Sequence, residues 1–247
     1  MSQQKPFTNP MRFSARSWVV AGMLVALLAL AGALLASTPL GASFVSAINS
    51  LFLLDSVKTT WFVTRASGII AYVLMWFSMV WGLAVSSKVL NRLMHRAYEF
   101  DFHEYLSLLA IGFLVVHVVM LLFDQYSTFS ILQVLVPFIA PYRPVWVGIG
   151  VIALYLVLLS SVTFYLRNRI GMAAFRVIHL STFIAYLGAT VHGLRSGTDS
   201  ALPATQVMYA GTFLVVVALS LYWWNEQRKK KGTRQQRQGS ARMVGAK

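Results

Sequence analysis

The sequence predicts an all-α bundle of six membrane-spanning helices, and three observations predict it. Only 11% of the 247 residues are charged and 57% are hydrophobic, whereas an average soluble domain carries about 25% charged residues. Six stretches are mostly apolar over about 20 residues, enough to cross a hydrocarbon layer about 30 Å thick. The lysines and arginines gather on alternate sides of those stretches, as in multi-pass membrane proteins. Helix is the answer for an open chain in lipid, because lipid offers no partner for unpaired backbone N–H and C=O groups.

The first span, Trp18–Ala36, follows a basic flank of Lys5, Arg12 and Arg16. Small residues near its end (Ala33, Ala36, Ser37) are those of a signal-peptide cleavage region. Its apolar part is longer than the about 7–15 residues of such a region, so it is expected as a retained helix. The other five spans are Ala66–Ser86, His103–Phe123, Val145–Leu166, Val177–Leu194 and Val207–Trp224. Polar or Pro/Gly-marked breaks separate them: Thr38-Pro39, Pro137, Pro141-Tyr142-Arg143-Pro144 and Ser196-Gly197-Thr198-Asp199. The expected organisation is a cytoplasmic segment 1–16, a transmembrane domain 17–225 and a basic tail 226–247.

Charge sets the orientation. With both termini cytoplasmic, the inner segments hold 17 of the 21 lysines and arginines; the outer ones hold Lys58, Arg65, Arg143 and Arg195. That bias predicts the orientation, and the expected setting is a bacterial-type plasma membrane. The tail RKKKGTRQQRQGSARMVGAK has no apolar period. It is expected to be disordered and to meet anionic lipid headgroups. No nucleic-acid motif occurs.

The chain has no cysteine, which excludes disulfides, iron–sulfur clusters and thiolate metal sites and leaves histidine as the strongest metal-ligand candidate. Of five histidines, His95 lies in an inner loop and four lie in predicted spans. His103 and His117 are 14 positions apart on the third span; His179 and His192 are 13 apart on the fifth. At 1.5 Å per residue these separations are about 21 Å and about 19.5 Å. The two spans run the same way, so His103 and His179 share an inner level and His117 and His192 an outer one.

An imidazole in lipid is costly unless satisfied, and a cross-helix pair gripping one metal at each level would satisfy all four. Two imidazoles without a carboxylate or thiolate suit a metal whose other ligands come from elsewhere. A haem iron brings four porphyrin nitrogens and needs two axial ligands. Rotation favours the third span, where 14 residues return to within about 40° of the starting face. On the fifth, 13 residues miss by about 140°, so a distortion is expected there, with Gly188 the candidate. Two other readings stand beside haem: a histidine relay for protons or ions, and purely structural histidines. The acids (Asp55, Glu99, Asp101, Glu104, Asp124, Asp199, Glu226) are expected at or beyond helix ends, which weakens the relay.

The pattern Phe102-His103-Glu104, then His117, His179 and His192, resembles the ferric reductase-like transmembrane domain superfamily. That superfamily includes NADPH oxidases, ferric reductases and the haem-binding membrane subunit of the bacterial methionine sulfoxide reductase system. The resemblance covers roughly residues 60 to 224, by the span boundaries. It implies two b haems between the third and fifth helices. His103 and His179 would ligate the inner haem, and His117 and His192 the outer one. The family also uses spacings of 14 and 13. The stretch TRASGIIAYVLMW (64–76) is similar to a segment carrying an arginine near the haem propionates, and the matching residue is Arg65.

Arg143 and Arg195 are outer alternatives for that role. Arg92, Arg96 and Arg176 are inner candidates that also fit a purely topological role. The resemblance further implies transmembrane electron transfer by an oxidoreductase component without catalytic residues of its own. No counterpart of the flavin- and NADPH-binding domain of the oxidases and reductases is expected, since no GxGxxG-type nucleotide loop occurs in a soluble context. Electrons are therefore expected from a separate flavoprotein, a quinone or another subunit, and are passed to an acceptor outside. Loop Asp124–Pro144 is the expected lid or docking surface. A subunit of a larger respiratory or photosynthetic complex fits the same residues.

Overall fold

The computed structural model describes residues 57–87, 96–124 and 128–244, with isolated positions between 38 and 46. The first predicted span, Trp18–Ala36, lies outside the described residues. The chain divides into two units, Met1–Ser56 and Val57–Lys247. Among its described residues the second holds six helices: α1 (Val57–Ser87), α2 (Arg96–Phe123), α3 (Ile131–Leu135), α4 (Pro144–Ile170), α5 (Met172–Ser196) and α6 (Pro203–Val244). Among the described residues every regular element is a helix. Five of them, all but α3, are long and apolar enough to cross a membrane, and they match predicted spans two to six.

The helices begin earlier than the apolar stretches. α1 starts at Val57 rather than Ala66, and α2 at Arg96 rather than His103. Hydropathy marks the membrane-embedded part of a helix, whereas residues such as Arg, Ala and Glu extend it into the interface at little cost. In the same way α6 runs on to Val244, where the sequence leads us to expect a disordered tail from 226. Lysine, arginine and glutamine are good helix formers, and a helix already nucleated by its apolar half grows residue by residue.

Local chemistry fixes the other ends. Pro144 opens α4, where a missing N–H costs nothing. Gly171, at φ 85°, ends α4 and leads directly into α5; a Cβ would be strained there. α3 interrupts the loop before α4 and is held by a capping box between Ser130 and Gln133.

α1–α2 and α4–α5 are two antiparallel hairpins. Contacts pair Thr64 with His117 and Ser78 with His103 in the first. In the second they pair Trp146 with His192 and Ser160 with His179. α6 packs mainly on α1. The core where α1, α5 and α6 meet centres on Tyr72, whose hydroxyl lies 3.0 Å from Tyr186 Oη, 3.2 Å from Thr190 Oγ1 and 2.8 Å from Thr212 Oγ1. Polar contacts of this kind hold helices together where lipid removes the hydrophobic drive.

Candidate functional site

The four span histidines meet in two cross-helix pairs. His103 of α2 faces His179 of α5 with ring centres 6.1 Å apart and planes at 87°. His117 faces His192 at 6.5 Å and 80°. These are the two levels expected from the sequence. α5 reaches both without a break: it is helical throughout from Met172 to Ser196, so the expected distortion at Gly188 is absent. Staggered χ1 wells let a ring swing widely about its helix, which relaxes the 13-residue mismatch. At Gly188 an added Cβ would stand 3.4 Å from Ala153 Cβ on α4, an ordinary packing contact.

Each ring is fixed from behind by the partner helix of its hairpin. His117 Nδ1 lies 2.8 Å from the carbonyl oxygen of Thr64, and His192 Nδ1 2.9 Å from that of Trp146. A carbonyl only accepts, so both Nδ1 atoms carry hydrogen and both Nε2 atoms keep a lone pair. At the inner level His103 Nδ1 lies 3.2 Å from Ser78 Oγ, which is 2.8 Å from Ser107 Oγ. Ser107 donates to the His103 carbonyl at 2.8 Å. Only one arrangement satisfies all three contacts: Ser78 donates to Ser107, and His103 Nδ1–H donates to Ser78. His179 Nδ1 lies 2.9 Å from Ser160 Oγ, and Phe175 stacks on its ring at 5.3 Å.

Glycines make room for three of the rings. A Cβ added at Gly68 would fall 2.8 Å from His117 Nδ1, at Gly150 2.6 Å from His192 Nδ1, and at Gly82 3.1 Å from His103 Cε1. In each case the glycine lies four residues, about one turn, beyond the group that holds the ring: Thr64, Trp146 and Ser78.

The donor set fits a haem iron. Among the described residues no group of three or more His, Asp or Glu gathers to hold a metal, so each pair suits an ion that brings its other ligands with it. Two imidazole nitrogens about 2.0 Å from one first-row metal, on opposite sides, put the ring centres about 6.3 Å apart. The observed 6.1 and 6.5 Å bracket that value. Nδ1–H bonds to carbonyl or hydroxyl oxygen are how metal-ligating histidines are usually oriented. At the outer level a cavity of about 360 Å³ surrounds His117 and His192, lined by Gly68, Leu114, Gly150, Val151 and Leu154 among others.

Arg65 lines the same cavity. It lies within α1 rather than at a helix end, forms an ion pair with Asp199 and stands over the Trp61 ring at 3.8 Å. Its Nε is buried with no hydrogen-bond partner. Arg143 and Arg195 do not line the cavity: Arg143 donates to the Arg195 carbonyl, and Arg195 stands over Trp146 at 5.2 Å. Arg176 is exposed on the first turns of α5. Arg92 and the Arg96 side chain lie outside the described residues.

Asp124 and Asp199 lie beyond helix ends and Glu99 stands in the first turn of α2, as expected, whereas the early start of α2 places Asp101 and Glu104 further inside it. Glu99 is fully buried, and neither carboxylate oxygen has a hydrogen-bond partner. Glu104 accepts a 2.7 Å hydrogen bond from Tyr165 of α4. Sequence reasoning also missed Asp199 as the partner of Arg65, and the serine and glycine seats behind the rings. The seats had a signal in TRASG (64–68), SMVWG (78–82) and WVGIG (146–150), each ending in a glycine one turn beyond the holding residue. No family model, curated protein or solved structure matches the chain.

Proposed function

We propose that this chain is a transmembrane electron-transfer cytochrome b of the ferric reductase-like type. His103 and His179 hold an inner haem b, and His117 and His192 an outer one. Electrons pass from a donor on the cytoplasmic side to an acceptor on the outer side. The observation that carries the reading is the pairing itself: two cross-helix imidazole pairs, each ring oriented from behind through Nδ1, with centres 6.1 and 6.5 Å apart. When bound, each haem supplies a one-electron ferric–ferrous couple.

The chain's residues do the rest. With a histidine from each of two helices at each level, the pairs would hold the groups from both sides and the protein would serve conduction rather than substrate chemistry. Gly68, Gly82 and Gly150 keep the rings against α1 and α4. Apolar side chains, Leu114, Val151 and Leu154 among them, line much of the cavity around the outer pair. Arg65 offers a guanidinium suited to a propionate carboxylate, which it can grip bidentately. The donor is a flavoprotein, a quinone or another subunit, and the loop 124–144 is the outer docking surface.

Vesicles enclosing ferricyanide, with a membrane-impermeant reductant outside, test this. Wild-type protein, inserted with its inner face outward, should bleach the ferricyanide, and His103→Ala and His117→Ala should each stop it. Equal bleaching in all three proteins would overturn the proposal.

A further inference from the structure

The two levels orient their rings by different chemistry. The outer rings donate to backbone carbonyls of Thr64 and Trp146, which no substitution at those positions removes. The inner rings rest on the side-chain hydroxyls of Ser78 and Ser160. Ser78 sits 7% exposed and Ser160 4% exposed, so water does not replace a lost hydroxyl. The Ser78 hydroxyl is itself committed to Ser107, which leaves its oxygen as the acceptor for His103 Nδ1–H.

An acceptor behind an imidazole raises its basicity, and a more basic ligand stabilises the ferric state. Resting on the haem reading above, we propose that Ser78 and Ser160 are positioning residues that set the electron-donating strength of the inner histidines. They thereby set the redox potential of the inner site independently of the outer one. Inner and outer potentials can then be ordered by side chains alone, without any change of ligand.

The test is a spectroscopic redox titration of purified protein, with its two one-electron components assigned by their loss in His103→Ala and His117→Ala. Ser78→Ala and Ser160→Ala should each raise the inner potential by about 59 mV, a tenfold change in the ferric–ferrous ratio for one electron. The outer component should stay fixed. Ser107→Ala should move the inner component less, since it removes only the group that receives the Ser78 proton. The low-spin ferric resonance of the inner site should shift in the same variants, because its ring is no longer held in one plane.

An unmoved inner potential, or equal movement of both components, would overturn the proposal. If an alanine variant fails to take up haem, the cysteine variant at that position, close in size and a weaker acceptor, takes its place: a raised inner potential supports the proposal and an unmoved one overturns it. Wild-type protein without haem would sink the electron-transfer reading itself, a different result from haem-bearing protein whose inner potential ignores both serines.

Discussion

His117 lies with its Nδ1 2.8 Å from the Thr64 carbonyl, and Gly68, one turn on from Thr64, is what allows that approach. A methyl group at Gly68 would stand 2.8 Å from the same nitrogen, and one at Gly150 would stand 2.6 Å from His192 Nδ1. Backbone and ring cannot both hold their places against such contacts. Gly68→Ala and Gly150→Ala should therefore lose the outer haem and keep the inner one, so that haem per chain falls by about half. Gly112→Ala is the control. Nothing lies within 4 Å of a Cβ there, and alanine should stabilise α2 by up to about 1 kcal/mol with haem unchanged.

Arg65 and Asp199 predict a graded result. Their side chains are 21% and 22% exposed, too open for a deeply buried charge pair, so the ion pair contributes about 1 kcal/mol or less. Asp199→Asn should cost little stability and leave haem content intact. Arg65→Gln should weaken retention of the outer haem, read as faster transfer to an apo-globin acceptor. The double variant should behave like Arg65→Gln alone. A strong loss from Asp199→Asn would show that the pair, rather than the arginine, serves the site.

Tyr72 joins three helices through one hydroxyl. Tyr72→Phe removes three buried contacts, while Thr212 keeps its bonds to the Met208 and Tyr209 carbonyls and Thr190 its bond to that of Tyr186. Hydrogen bonds between membrane helices average about 0.6 kcal/mol and reach about 1.7, so the variant should lose about 1 kcal/mol. Detergent-induced unfolding would measure it. Haem content should not change, because phenylalanine keeps the ring that lines the outer cavity and the Tyr72 hydroxyl bonds to none of the four histidines.

Orientation is open to direct labelling, since the chain has no cysteine to mask a new one. A thiol at Ser240→Cys should react only with a reagent on the cytoplasmic side, and one at Ser200→Cys only from outside. Labelling of Ser240→Cys from outside would invert the direction of electron flow proposed above.

Much of this is legible in the sequence. A histidine in an apolar run stands out because lipid penalises it, and two pairs with matched separations on parallel helices fix which ring meets which. Rotation misleads because an ideal helix takes no account of how far an imidazole arm can swing. The seats are harder to find. Glycine carries no chemistry of its own, and TRASG or WVGIG means something only once a ring is known to face it. Asp199 cannot be assigned to Arg65 from the sequence, because that contact depends on how the turn after α5 folds back over α1. The extension of α6 shows the remaining weakness: hydropathy reports where lipid ends, and helices do not end there.

The most direct measurement is haem stoichiometry: a pyridine haemochrome assay with a reduced-minus-oxidised spectrum on purified, folded protein. About two haems b per chain are expected, one for each histidine pair. Folded protein carrying no haem would contradict it and return the four histidines to a proton relay or a structural role.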